Sequence, residues 1–308
     1  MIVRQRFSDM YLENALPAID EVIFARFKRF PDQYSKIFRL MTSGRSIEQT
    51  TEVTGIGGFV VTPEGADTTY DNPAQGFDKT YNHVQYSLGF KATKIAMDDD
   101  KWGIIRRMST ELGKSAKDTI EVVAADVLNQ AFNPSFPGPD GVELCSLLHP
   151  LAHSGGTEQN ELSTSADLDP STLELALTDF RALVDHTGKR IRIPARKLVV
   201  APANEWNASE IVGGPMRSDT ANHTINPLRQ RSNMPSFSTF FVYDYLTDPD
   251  AWFLLADKED TELRFYWREK FGVSHDIDFN SRTALNAGWM RFSVGFSNFW
   301  GVYGSPGA

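Results

Sequence analysis

The longest regular pattern in the chain is a recurrence of apolar residues at Ile104, Met108, Leu112, Ala116, Ile120, Val123, Val127 and Ala131, mostly four or three positions apart. That period is the apolar stripe of an amphipathic helix. Asp98-Asp99-Asp100 places carboxylates where a helix start leaves backbone N–H groups unpaired, and Asn133-Pro134 stops the pattern. The stretch therefore predicts one helix of roughly 50 Å at about 1.5 Å per residue. Asp169-Pro170-Ser171-Thr172 opens a second helix with a cap residue and a first-turn proline. Its apolar face is Leu173, Leu175, Ala176, Phe180, Leu183 and Val184, and Gly188 is expected to end it. Leu198-Val199-Val200-Ala201-Pro202 reads as a short buried strand, and 204–212 as a short helix leading into a polar loop over 213–233.

The first fifty residues carry only a short amphipathic pattern, Ile19, Ile23, Phe27 and Phe30, which Pro31 ends. They read as an arm that needs a surface to lie on. Residues 51–94 read as a long hairpin, with Gly57-Gly58-Phe59-Val60-Val61 on one side and Tyr86-Ser87-Leu88-Gly89-Phe90-Lys91-Ala92-Thr93 on the other. The segment 63–76 between them is polar and rich in turn residues. Such a ribbon is too poor in apolar residues to build its own core, so it is expected to project and pack on another chain. Strand patterns dominate the last third of the chain, over 240–243, 251–256, 263–267 and 289–296. The class expected is α+β.

Composition narrows the function. At 308 residues the chain is long enough for one large domain or two modest ones. Its formal net charge is -9, the opposite of the basic face that tight nucleic-acid binding needs. Cys145 is the only cysteine, so neither an intrachain disulfide nor a cysteine-based zinc cluster is available. No run of eighteen apolar residues occurs, and Arg4, Arg6 and Asp9 stand where a secretory signal would be apolar, so neither a membrane nor an exported destination is expected.

Motifs that resemble catalytic sites fail on context. Gly113-Lys114-Ser115 has the end of a phosphate-binding loop, but Met108 replaces the first glycine and the tripeptide falls inside the long helix. Gly55-Ile56-Gly57-Gly58 has Val60 where a dinucleotide fingerprint needs glycine. His149 and His153 have metal-ligand spacing but flank Pro150 in a loop, which favours packing or hydrogen bonding. Ser274-His275-Asp276 brings triad residue types together, yet adjacent side chains do not reach triad geometry. The cluster Lys189, Arg190, Arg192, Arg196 and Lys197 is read as partners for carboxylates of a neighbouring subunit. The aromatic residues of 289–296 are read as sheet core rather than as a base-stacking platform.

Arm, hairpin, long helix, loop and α/β segment follow in an order that resembles the Hong Kong 97-type capsid fold of tailed bacteriophages. Local sequences resemble Mu-like major head subunits. These are Glu64-Gly65-Ala66-Asp67-Thr68-Thr69-Tyr70-Asp71, then Gly89-Phe90-Lys91-Ala92-Thr93-Lys94 and an acidic helix start. Leu148-His149-Pro150, Gly155-Gly156-Thr157-Glu158-Gln159-Asn160-Glu161-Leu162 and the strand at 198–202 follow in the same order, as do 250–257 and the closing 296–305. The resemblance implies an N-terminal arm over 1–50, an extended loop (E-loop) over 51–96 and a peripheral (P) domain with the spine helix over 97–195. An axial (A) domain over 196–261 and return strands of the P domain over 262–308 complete the division.

It also implies a structural major capsid protein, not an enzyme. Such a protein assembles in the host cytoplasm into the pentamers and hexamers of an icosahedral virion shell and encloses DNA without sequence-specific binding. Its partners would be itself, with scaffold, portal and decoration proteins besides, and no cofactor or metal. Inter-subunit contacts are expected at Glu64, Asp67, Tyr70 and Asp71 on the loop, Arg190 and Arg192 in the basic cluster, and Arg217, Asn222, Arg229 and Arg231 at the capsomer axis. The competing readings are a hydrolase-like soluble enzyme whose site forms only in three dimensions, and another virion component such as a decoration or tail protein.

Overall fold

A computed structural model describes residues 16–99, 103–214, 226, 240–278 and 280–308. The helices among them are α1 (Leu16–Arg29), α2 (Lys94–Asp98), α3 (Ile104–Asn129), α4 (Pro170–Ala182) and α5 (Glu205–Gly213). The strands are β1 (Arg39–Thr42), β2 (Ile47–Val53), β3 (Gln75–Asn82), β4 (Val84–Thr93), β5 (His149–Pro150) and β6 (Thr157–Glu158). They continue with β7 (Lys197–Val200), β8 (Phe240–Val242), β9 (Trp252–Leu255), β10 (Leu263–Asp278), β11 (Thr283–Phe296) and β12 (Val302–Ser305).

Two four-stranded sheets organise the chain. The first has the order β1-β10-β11-β4, antiparallel except for the β1–β10 pair, and the second has the order β12-β9-β7-β8, antiparallel except for β7–β8. Successive side chains of a strand point to opposite faces, so Val199, Phe253 and Leu255 join one core while Leu198, Val200, Trp252 and Leu254 join another. The first core is shared with Ile120, Ala124 and Leu128 of α3 and with Phe265 and Phe292 of the first sheet, whose rings stack 5.0 Å apart. The second is closed by Leu173, Ala176, Leu177 and Phe180 of α4 and by Ala208, Ile211 and Val212 of α5. Covering both faces explains why β7 and β9 read as unbroken apolar runs.

α1 lies on α3. Ile19 and Ile23 meet Leu112 and Ala284, and Phe27 stacks on Phe271 at 4.8 Å. A Cβ at Gly113 would stand 2.4 Å from the carbonyl oxygen of Ile23, so the glycine of Gly113-Lys114-Ser115 serves close helix packing. The arm pattern thus finds its surface on its own chain. Tyr34, Ile37 and Phe38 continue into the main core, and β1 pairs with β10.

Several expectations require correction. The long hairpin does not pair 57–61 with 86–93: β2 pairs with β3, residues 54–74 form an irregular loop between them, and β4 hydrogen-bonds to β11 over its whole length. Two glycines and exposed side chains leave 57–61 without a strand partner, whereas β11 offers β4 a fourteen-residue neighbour. The acidic run does not start the long helix. Thr93 caps α2, Asp98 ends it, and Gly103 with φ 64° breaks the path before α3 begins at Ile104. The helix has 26 residues, about 39 Å at 1.5 Å per residue. Ile104 and Met108 of the stripe are exposed, because the core begins one turn later at Leu112.

α4 ends at Ala182, and Gly188, with φ 79°, serves a turn in which Val184 bridges Arg190. Its capping box joins Asp169 and Thr172, while Leu175 is exposed and Leu177 takes the buried place. Asp100 and the expected contact residues Arg217, Asn222, Arg229 and Arg231 lie outside the described residues.

Candidate functional site

Along β2 the inward positions are polar. Ile47 and Val53 face solvent, while Glu48, Thr50 and Glu52 face the subunit. The inward residues are tied by polar bonds. Glu48 accepts from the Ser43 hydroxyl at 2.7 Å, and Thr50 Oγ1 accepts from the Arg264 guanidinium at 3.0 Å. Glu52 lies 2.9 Å from His186 Nε2 and also accepts from the Asn298 amide. On β3, Tyr81 and Ser297 share a hydroxyl hydrogen bond at 2.6 Å. The hairpin is therefore held to the subunit by these polar bonds and by the buried Tyr81, while Ile47 and Val53 stand outward among Gln49, Thr51, Asp78 and Thr80.

Beyond it, Thr54 and Ala74 close the loop root through N–H to carbonyl and hydroxyl bonds of 2.8–3.0 Å. The Gly57 N–H donates to Asp71 at 2.6 Å, and that bond, first among its causes, holds the Asp71 carboxyl below the usual carboxylate range. Lys189 donates to the carbonyls of Ile56 and Gly57. From residue 58 to residue 73 every side chain is exposed, including Phe59, Val60, Val61 and Tyr70. Glu64, Asp67, Tyr70 and Asp71 all stand on this loop.

Arg190 and Arg192 are exposed, Arg192 with φ 60°, and neither makes an ion pair with a described residue. Two others of the basic cluster act within the chain instead: Lys189 on the loop root, and Lys197 on the Lys36 carbonyl at 2.7 Å. A cleft of about 430 Å³ opens between α3, β4 and β11, lined by Tyr86, Leu88, Leu112, Ala116, Trp289 and Met290. Trp289, expected in the sheet core, is partly exposed at its rim, while Phe292 and Phe296 are buried.

A buried polar cluster joins the arm to α3. Lys117 Nζ donates to the Asp32 carboxylate and lies 3.6 Å from Glu121. Glu121 accepts the backbone N–H groups of Gln33 (2.8 Å) and Tyr34 (2.9 Å), and the Tyr243 hydroxyl donates to the Glu121 carbonyl at 3.2 Å. Burial pushes the Glu121 carboxyl up and the Lys117 ammonium down, because water no longer solvates either charge. Sequence reading missed this pair. Its only signal was an i, i+4 Lys–Glu couple one position off the apolar stripe at Ala116 and Ile120.

The histidines tie elements together. His149 is buried on Phe299 with Asp140 at 2.6 Å and Asn160 at 3.0 Å. His275 joins Asn286 at 2.6 Å to Asp20 of α1 at 2.8 Å. Ser274 and Asp276 flank it on β10 and point to the opposite face. Among the described residues no cluster of three or more His, Cys, Asp or Glu could hold a metal, and no helix is long and apolar enough to cross a membrane.

A long helix against a β10–β11 sheet, a second sheet built around β7 and β9, and a projecting hairpin loop together define the Hong Kong 97-type shell subunit of tailed phages. Residues 77–305 match the family described as phage capsid protein, and the chain belongs to that family. It is a phage capsid protein, a subunit of the virion shell.

Solved structures agree in fold at low identity. The capsid of cyanophage P-SCSP1u is 11% identical with a TM-score of 0.57, the match covering 91% of this chain and 89% of that one. The capsid of an empty GTA particle gives 13% and 0.55, with 89% of each chain covered. The virus-like particle from Pyrococcus furiosus gives 8% and 0.51, with 95% and 99% covered. No curated protein matches.

Proposed function

We propose that the chain forms pentamers and hexamers in which the 54–74 loop and the outward face of β2–β3 pack on a neighbouring copy. One observation carries this reading: Phe59, Val60, Val61 and Tyr70 are exposed on the loop, with Ile47 and Val53 exposed at the two ends of β2. An exposed apolar surface of this kind is the mark of a partner surface. The division into arm, extended loop, P domain and A domain along the boundaries given above belongs to the same reading. So does a 213–233 loop placed at the capsomer axis, with Arg217, Asn222, Arg229 and Arg231 facing their symmetry copies. The subunit is a wall rather than an enzyme. It is assembled in the host cytoplasm with scaffold, portal and decoration proteins, and its net charge of -9 suits a shell that encloses DNA without binding its sequence.

The double substitution Phe59→Asp, Val61→Asp tests the reading. Both side chains are exposed, so the isolated subunit should keep its unfolding free energy within about 0.5 kcal/mol. Capsomers and shells, counted by sedimentation and electron microscopy, should be lost. Normal shells from that variant would refute the loop contact. Reversing Arg190 and Arg192 to Glu should likewise stop or misdirect assembly with the fold intact, since both guanidinium groups are free to meet a neighbour's carboxylates. Circular dichroism of the subunit and micrographs of the assembly reaction read the two effects separately.

A further inference from the structure

The turn at 184–190 grips the projecting ribbon at two levels. His186 takes the lower one by packing: its ring stands edge-on to Phe77 of β3 at 5.8 Å, with Nε2 2.9 Å from the Glu52 carboxylate but not aligned for a hydrogen bond to it. Lys189 takes the upper one, where its ammonium meets two consecutive carbonyls, Ile56 and Gly57. The Gly57 residue is thereby held on both sides, by Asp71 on its N–H and by Lys189 on its carbonyl. A Cβ at Gly57 would stand 2.9 Å from the Asp71 carboxylate oxygen, so the glycine leaves room for this approach.

The turn is itself tightly built. Asp185 Oδ1 accepts from the Thr187 N–H at 2.8 Å, the Thr187 hydroxyl at 2.7 Å and the Lys189 N–H at 2.9 Å. The Asp185 N–H donates to the Lys189 carbonyl at 2.7 Å. Anchored in this way, the Lys189 side chain has a fixed origin from which to reach the loop.

We infer that the 184–190 turn is a bracket that sets the direction in which the 54–74 loop leaves the subunit, with Lys189 as the positioning residue for the contact with a second copy. The inference rests on the loop contact proposed above. A loop without regular structure pays for the ordering of its backbone when it binds, and a fixed root lowers that cost and restricts the angle at which two subunits meet. The bracket therefore bears on the uniformity of shell curvature, while the apolar tip supplies adhesion. Lys189 is thus separated in role from Arg190, its neighbour in the basic cluster: one charge is used within the chain and the other is offered outward.

The test compares Lys189→Met and Lys189→Arg with the wild type and with the Phe59→Asp, Val61→Asp variant. In the unassembled subunit, Lys189→Met should leave thermal unfolding unchanged. Amide hydrogen exchange at Gly57 and its neighbours should rise about tenfold, the loss of one hydrogen bond to a charged group. Its assemblies should show a broadened distribution of particle diameters by electron microscopy, and Lys189→Arg, which keeps the donors, should narrow it again. Unchanged exchange at Gly57, or particles of wild-type uniformity from Lys189→Met, would overturn the bracket. Failure of the loop contact shows itself separately, as normal assembly of the Phe59→Asp, Val61→Asp variant.

Discussion

Leu112→Asp should destabilise the isolated subunit by about 4 kcal/mol or more, whereas Lys114→Asp should change it by about 0.5 kcal/mol or less. Leu112 is 4% exposed and packs where α1, α3 and β11 meet, with Ile19, Ile23 and Ala284 around it. A carboxylate there loses the transfer energy of the leucine and finds no cation in the cluster. Two residues further on, Lys114 faces solvent, so its charge reversal leaves the core untouched. Urea unfolding of the two variants, followed by tryptophan fluorescence, reads the difference. Equal effects would place the buried face of α3 elsewhere.

Lys117→Met should cost about 3 kcal/mol near neutral pH, for an electrostatic reason rather than a packing one. The methionine fills most of the lysine's volume, but Glu121, 2% exposed, then keeps its charge with only the N–H groups of Gln33 and Tyr34 and the Tyr243 hydroxyl near it. Burial already raises the Glu121 carboxyl above its ordinary range, and removing the neighbouring ammonium raises it further. A carboxyl whose folded value is raised binds its proton more tightly in the folded state than in the unfolded one. Stability of the variant should therefore recover as pH falls through the folded value toward the ordinary carboxylate range. Denaturation midpoints of Lys117→Met measured from pH 8 down to pH 5 should rise toward the wild type. Adding Glu121→Gln to Lys117→Met should restore stability at pH 8 and remove the trend. A midpoint for Lys117→Met independent of pH would show that Glu121 is solvated.

Period and capping chemistry made much of this chain legible in advance. The stripe through Leu112, Ala116 and Ile120 located α3 and its buried face, Asp169-Pro170 located the start of α4, and the apolar runs at 198–200 and 252–255 located two strands of the second sheet. These features are local: helix period, first-turn proline and continuous apolarity act within a few residues of one another. The order of segments, together with the motifs at 64–71 and 148–162, was enough to place the chain among tailed-phage capsids. The exposed loop with Glu64, Asp67, Tyr70 and Asp71 was also legible, because a turn-rich polar stretch offers nothing to bury.

Strand partners were decided by the tertiary structure alone. Tyr86 and Phe90 alternate as well against β2 as against β11, and only the long β11 edge and the packing of Tyr86 on Phe292, 4.9 Å ring to ring, settle which is used. The Lys117–Glu121 pair reads in one dimension as a surface couple. It is buried because Asp32 to Tyr34, more than eighty residues away in sequence, fold back over it. Lys189 and Arg190 are adjacent and alike in charge, yet one turns inward to Ile56 and Gly57 and the other outward. The sequence by itself determined α3 beyond Leu112, the start of α4, the strands β7 and β9 and the turn-rich exposed stretch, since those follow from neighbours along the chain. Which strand pairs with which, which charges are buried and where the loop root is held were fixed only by contacts between segments far apart, whose geometry no local pattern encodes.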